Sequence, residues 1–253
     1  MNTKMKVLSL ALIGLCGFAG SAMAACPAGP TTAQGGAWTS AIQLPDATSS
    51  PLAIVAGGLD GSACKLTSAL APTTSASAAV RYTHAASEPS YRFQFLVDPS
   101  AFSAFNATDS VVIFQAPATT AANGFNRLLR VSLVAGPAGA KRVRFIAQCG
   151  SAGFLCAQSF ATDLLPGVNR IEGKLTVGAG AAGSFTYWVN AAAGTTEPAA
   201  SGTIANLNNA AWGGVSAASL GLAAPTQTFA DTHGNQIAGF DAFDSRRQTY
   251  IGH

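Results

Sequence analysis
Glu88, Glu172 and Glu197 are the only glutamates of the chain, and none has a carboxylate partner two or four residues away. A retaining glycosidase needs an acid and a nucleophile about 5 Å apart on one surface, so no single strand here supplies that pair. His84, His233 and His253 are scattered, no Cys-x-x-Cys pair exists, and a tetrahedral zinc set is not expected. A Gly-x-Ser-x-Gly nucleophile elbow is also missing. Asp231-Thr-His-Gly-Asn235, followed by Asp241 and Asp244, offers hard oxygen atoms of the kind calcium takes. It lacks the glycine and the terminal glutamate of a calcium-binding loop, and it reads as a solvated turn. The expectation is no catalytic residue, no metal and no cofactor.

The sharper lead is an aromatic residue among bases. Ser184 to Asn190 alternates with period two, setting Phe185, Tyr187 and Val189 on one face and Thr186, Trp188 and Asn190 on the other. If the phenylalanine face is the core, Trp188 points outward as a platform for a sugar ring. Other strands of the same pattern present bases at equivalent outward positions: Arg92 opposite Tyr91, Phe93 and Phe95; Arg142 and Arg144 opposite Val143 and Phe145; Arg170 and Lys174 opposite Ile171 and Leu175. Brought together, these side chains would form a basic groove with one aromatic floor, suited to an acidic polysaccharide.

The elements that must position them are almost all strands. Alternation predicts strands at 52–56, 78–82, 91–97, 110–115, 128–134, 141–149, 169–177, 184–190, 215–222, 237–243 and 248–251, with glycine and proline clusters between them. Asp98-Pro99 opens the one predicted helix, 98–105. Polar-out, apolar-in strands with so little helix predict an all-β antiparallel sandwich or jelly roll. Residues 51–253 would form that single domain, preceded by a loop-like arm over 25–50.

Residues 1–24 read as a secretory signal peptide: a basic start at Met1–Lys6, an apolar run of 13 at Val7–Ala19, and the small-x-small site Ala22-Met23-Ala24. Cleavage after Ala24 would deliver the chain to the periplasm or beyond, and no later run is long and apolar enough to span a membrane. Two of the 14 Lys and Arg residues lie in that leader, leaving 12 against 11 acidic residues and no charge to attract nucleic acid. Cys26, Cys64, Cys149 and Cys156 remain, an even number that favours two disulfides in an oxidising compartment. Of the three pairings, Cys149 with Cys156 is the local one, and Cys26 would then tether the N-terminus to Cys64. Met23-Ala24-Ala25-Cys26 lies one residue from a lipoprotein signal, but lipidation of Cys26 would leave Cys64 without a mate.

The order of the segments Pro51–Gly57, Tyr91–Phe95, Asn169–Glu172, Phe185–Asn190 and Gly239–Asp244 resembles the concanavalin A-like lectin and glucanase superfamily, including laminin G-like modules. The resemblance is one of strand pattern over about 51–251, and it implies two curved antiparallel sheets, with glycan binding common among members. Fold alone does not transfer function. Jelly-roll polysaccharide lyases of alginate carry Arg-x-Glu-Leu and Gln-Ile-His strings. Arg170-Ile-Glu172 and Gln236-Ile237 match these only in part. The expectation is therefore a secreted, non-catalytic β-sandwich that binds a glycan. The alternatives are a structural or adhesive protein meeting a cell-surface partner, and a lyase-like enzyme.

Overall fold
The computed structural model describes residues 25–122, 125–150, 155–246 and 249–251, with the side chains of 119–126 and 151–162 left aside. The expected signal peptide, 1–24, lies outside the described residues. Among the described residues there are fourteen strands: β1 Ser40–Leu44, β2 Leu52–Ala56, β3 Cys64–Ser68, β4 Ser77–Glu88, β5 Ser90–Asp98, β6 Ser110–Ala122, β7 Phe125–Ala135, β8 Lys141–Gln148, β9 Leu155–Asp163, β10 Asn169–Thr176, β11 Gly183–Val189, β12 Gly202–Leu207, β13 Val215–Ala223 and β14 Ala238–Arg246. They form two seven-stranded sheets, ordered β1-β4-β13-β6-β7-β8-β9 and β12-β11-β10-β5-β14-β3-β2. All the strand pairings are antiparallel. The chain is the all-β sandwich that its alternation predicts.

The inner faces of the sheets meet through aromatic rings. Phe93 of β5 stacks on Phe114 of β6 with centroids 4.1 Å apart, and Phe145 of β8 on Tyr187 of β11 at 4.2 Å. All four are buried. Offset stacks of this kind add to the area they bury. Gly173 of β10 leaves room for them: a Cβ there would come within 2.7 Å of both the Phe93 and Phe185 rings. A second aromatic group, Phe102, Phe105, Phe229 and His233, closes one end. There the buried His233 Nε2 lies 3.0 Å from Asp109 Oδ2.

Several expectations are corrected. Asp98 ends β5 and residues 99–105 are turn and loop rather than a helix, and the one α-helix among the described residues, α1, is Gln227–His233. Asp98 instead accepts the Ser100 amide in a local turn, and Phe102 and Phe105 that follow are buried against Phe229 of α1. Asp231 and His233 therefore lie in α1, not in a solvated turn. The N-terminal arm contributes β1, paired with β4 as the outermost strand of its sheet, because the free edge of β4 offers unpaired backbone groups. Strands β3, β9 and β12 were not anticipated. Gln248 lies outside the described residues, and Thr249–Ile251 is not a strand.

Cys26 and Cys64 are joined by a disulfide, 5.7 Å between Cα atoms, so the Cys26 sulfur is taken up in a cross-link to the start of β3. Cys149 is disulfide-bonded as well. The β8–β9 register, with Gln148 opposite Leu155, sets Cys149 and Cys156 at the same hairpin end, and the Cys156 side chain lies outside the described residues. Disulfides persist in oxidising compartments, which favours a periplasmic or extracellular location. No helix among the described residues is long and apolar enough to cross a membrane.

Candidate functional site
Trp188 does lie on the face of its strand opposite Phe185 and Tyr187, but that face is covered. Only 2% of Trp188 is exposed, and Arg92 is 0% exposed. Glu172, directly opposite both Gln94 of β5 and Trp188 of β11, receives Arg92 Nε at 2.5 Å. The Arg92 guanidinium sits 4.5 Å above the Trp188 ring and 4.9 Å from that of Tyr250. The segment after β11 folds over this cluster: Trp188 Nε1 donates to Pro198 O at 3.0 Å, and Glu197 takes Arg92 Nη1 at 2.6 Å. From the other side, the backbone N–H of Ile251 donates to Glu172. The expected platform of Trp188 and Arg92 is thus a sealed ion-pair cluster, not an open groove.

The remaining predicted bases are divided between the two sheets. Arg170 and Lys174, on β10, share the covered face and are half-buried, with Arg170 Nη1 donating to Ala191 O at 3.3 Å. Arg142 and Arg144 belong to β8 in the opposite sheet. The single groove joining all six residues does not form, because strand pairing assigns β8 to one sheet and β5, β10 and β11 to the other.

That opposite sheet carries a different outward face. Ser40, Arg81, Ser219, Gln115, Arg130 and Ile146 face one another in sequence across β1, β4, β13, β6, β7 and β8. One residue along, the row Val80, Leu220, Phe114, Val131 and Phe145 is buried in the core. Since side chains alternate along a strand, a core row must be flanked by an outward row. The next outward row opposes Val112 to Ser132 and Ser132 to Arg144.

The polar groups on this face are poorly compensated. Arg130 Nε, Arg144 Nε, Ser132 Oγ and both amide atoms of Gln148 are buried without a hydrogen-bond partner among the described residues. Arg144 Nη2 reaches Ser110 Oγ at 3.2 Å. Burial lowers the pKa of Arg127 and Arg144, and burial together with the neighbouring charges of Arg127 and Arg144 lowers that of Arg130. Arg130 is thus partly desolvated and disfavoured by the like charges of both Arg127 and Arg144. Nearby, Arg142 is held by Asp163 at 3.1 Å at the sheet's margin. A planar carboxylate that accepts two parallel N–H bonds would relieve both the repulsion and the orphaned donors.

Arg81, Gln115, Arg127, Arg130, Ser132, Gln148 and Ser219 were missed as site residues. A signal existed for three of them, since Arg130 and Ser132 alternate with Leu129, Val131 and Leu133 in the predicted strand 128–134, and Gln148 with Val143, Phe145 and Ala147 in 141–149. The row itself joins residues as far apart as Arg81 and Ser219, and only the pairing of β4 with β13 brings them together.

No protein-family profile matches the chain, and no curated protein is significantly similar to it in sequence. Solved structures resemble it at low identity. One is the endo-β-1,4-glucuronan lyase of the fungus Trichoderma reesei, with TM-score 0.62 and 11% identity over 89% of this chain and 95% of that one. Another is the alginate lyase Aly36B, with TM-score 0.55 and 13% identity over 83% and 87%. A third is the cellulose-induced protein Cip1, with TM-score 0.52 and 12% identity over 81% and 94%. By strand content, sheet order and these likenesses, the chain has the concanavalin A-like jelly-roll β-sandwich fold.

Proposed function
We propose that the protein is an exported β-sandwich that binds an acidic polysaccharide along the outward face of the sheet containing β4, β13, β6, β7 and β8. The observation that carries this reading is that Arg130 and Arg144, on neighbouring strands, each hold a buried Nε with no hydrogen-bond partner among the described residues, while the like charges of Arg127 and Arg144 bear on Arg130. A surface that only had to be stable would gain by removing such groups or pairing them. Uronate carboxylates spaced along a glycan match the need of Arg130 and Arg144 for bidentate acceptors, while the half-buried Gln115 suits a sugar hydroxyl. Trp188 has no direct part in this reading. Arg142 contributes at the margin of the face, and Arg170 and Lys174 belong to the opposite one.

Binding without cleavage is favoured over elimination, because the described residues of this outward face include arginine, glutamine and serine but no tyrosine or histidine to take a proton. The lyase-like reading has in its favour that similar folds include enzymes named as lyases of glucuronan and alginate. One experiment separates the two. The purified protein, without residues 1–24, is passed over immobilised polygalacturonate and alginate, and the soluble polymers are assayed for unsaturated uronate absorbance. Salt-sensitive retention without absorbance supports binding alone, and retention with absorbance installs the lyase. Absence of retention on any polyuronate removes the proposal.

A further inference from the structure
A cleft of about 410 Å3 opens between the two sheets on the core side of β4, lined by Trp38, Tyr82, His84, Tyr91, Phe243 and the Asp244–Arg246 pair. Its volume is that of a site for a small ligand. Trp38 packs on Phe243 with ring centroids 4.8 Å apart, and on the other side Tyr82, His84 and Tyr91 follow one another edge to face at 5.5 and 5.2 Å. Tyr82 remains 44% exposed although it is large and aromatic.

Two polar atoms in this aromatic setting have nothing to bond. His84 Nε2 is buried without a partner, and so is the hydroxyl of Tyr91, a residue only 2% exposed. Ser245 interacts with the Tyr91 hydroxyl only weakly, so His84 Nε2 is the atom more clearly without a partner. Buried polar groups left unmade are costly, so a ligand able to hydrogen-bond is favoured here. The charge of the lining excludes a uronate: Arg246, its one guanidinium, already holds Asp244 at 2.8 and 3.0 Å, and Glu88 adds a second carboxylate. A quaternary ammonium would suit the ring faces, but it carries no group for His84 or Tyr91.

We propose that this cleft is a second carbohydrate site, which takes a neutral pyranose ring against Trp38 and Tyr82 with its hydroxyls on His84 and Tyr91. It is independent of the arginine face, which selects charge; the cleft selects shape and hydroxyl groups.

Trp188 and Trp212 are buried at 2% and 1% exposure while Trp38 is partly open, so intrinsic tryptophan fluorescence reports on the cleft. Cellobiose and maltose are titrated into the protein, with choline and digalacturonate as the cationic and anionic probes. A saturable change with a neutral disaccharide, weakened about tenfold by Tyr82→Ala and by His84→Leu, is expected, since each removes one wall or one hydrogen bond. Melting temperatures of both variants identify any that fail to fold, and the other variant then decides. A response to choline or digalacturonate alone overturns the proposal. So does silence with both neutral sugars, or a neutral-sugar response that both variants retain in full.

Discussion

The two outward faces of this sandwich are made from the same residue types and have opposite fates. On the sheet containing β5, β10 and β11, Arg92 is enclosed by Glu172, Glu197, Trp188 and Tyr250, so that its charge is paired within the protein even though its Nη2 has no hydrogen-bond partner among the described residues. On the sheet containing β6, β7 and β8, Arg130 and Arg144 are partly desolvated beside each other, with donors left over. Alternation delivers arginine to both faces. What differs is the covering: the segment that follows β11 and the residues that follow β14 close one face and complete its ion pairs. The contrast separates an arginine that holds the fold from one available to a ligand.

The largest expected effect lies on the closed face. Arg92→Ala would leave Glu172 buried and uncompensated, and should cost about 3–5 kcal/mol in urea denaturation; Trp188→Ala should cost about the same, as buried aromatic truncations do. Values below about 1 kcal/mol for both would mean that the covering segment is not seated in solution.

On the open face the effect should appear in binding. Arg130→Gln and Arg144→Gln should each weaken retention on a polyuronate about tenfold and reduce its sensitivity to salt, because each removes a charge-assisted hydrogen bond to an exposed polyanion. Equal losses on a neutral polymer would show that charge is not what the face selects. Glu197→Ala should cost less than about 1 kcal/mol, since its carboxylate is 44% exposed and screened by solvent. A cost near that of Arg92→Ala would show that solvent does not screen this pair.

The smallest effects sharpen the comparison further. Arg130→Gln should leave stability within about 0.5 kcal/mol of the parent or raise it, because it relieves repulsion rather than breaking a pair; a large loss would reveal a hidden partner. In the cleft, burial holds His84 below its ordinary 6.5, against the weaker opposite pull of Glu88. The unfolded chain therefore takes up that proton first. Stability present above 6.5 should decline as the pH falls through the folded value, and His84→Leu should flatten that part of the profile. An equally steep decline in the variant would assign it to other groups.

Local pattern carried the fold a long way. Period-two alternation in Tyr91–Val97, Lys141–Cys149, Asn169–Val177 and Ser184–Asn190 assigned the core faces correctly, and Phe93, Phe145, Phe185 and Tyr187 are buried as it required. Strands β3, β9 and β12 were illegible for a local reason: Cys64–Ser68 and Gly202–Leu207 are short and mix small with polar residues, so their sheet positions come from their neighbours. Arg92 was misread on the same principle, because alternation says which side of a strand a residue takes and nothing about what later folds over that side.

The residue order by itself determined the strand-rich class and the inward phenylalanines, since these rest on interactions between residues near in sequence. Only the tertiary structure decided which arginines share a surface and which of them are enclosed with a carboxylate. Arg81, Ser219, Gln115 and Arg130 come from four strands whose adjacency is set by long-range pairing, and the burial of Arg92 depends on Glu197 and Tyr250, far from it in sequence. Hydrogen bonding between strands and the covering of a face are cooperative, non-local events, and no window along the chain contains them.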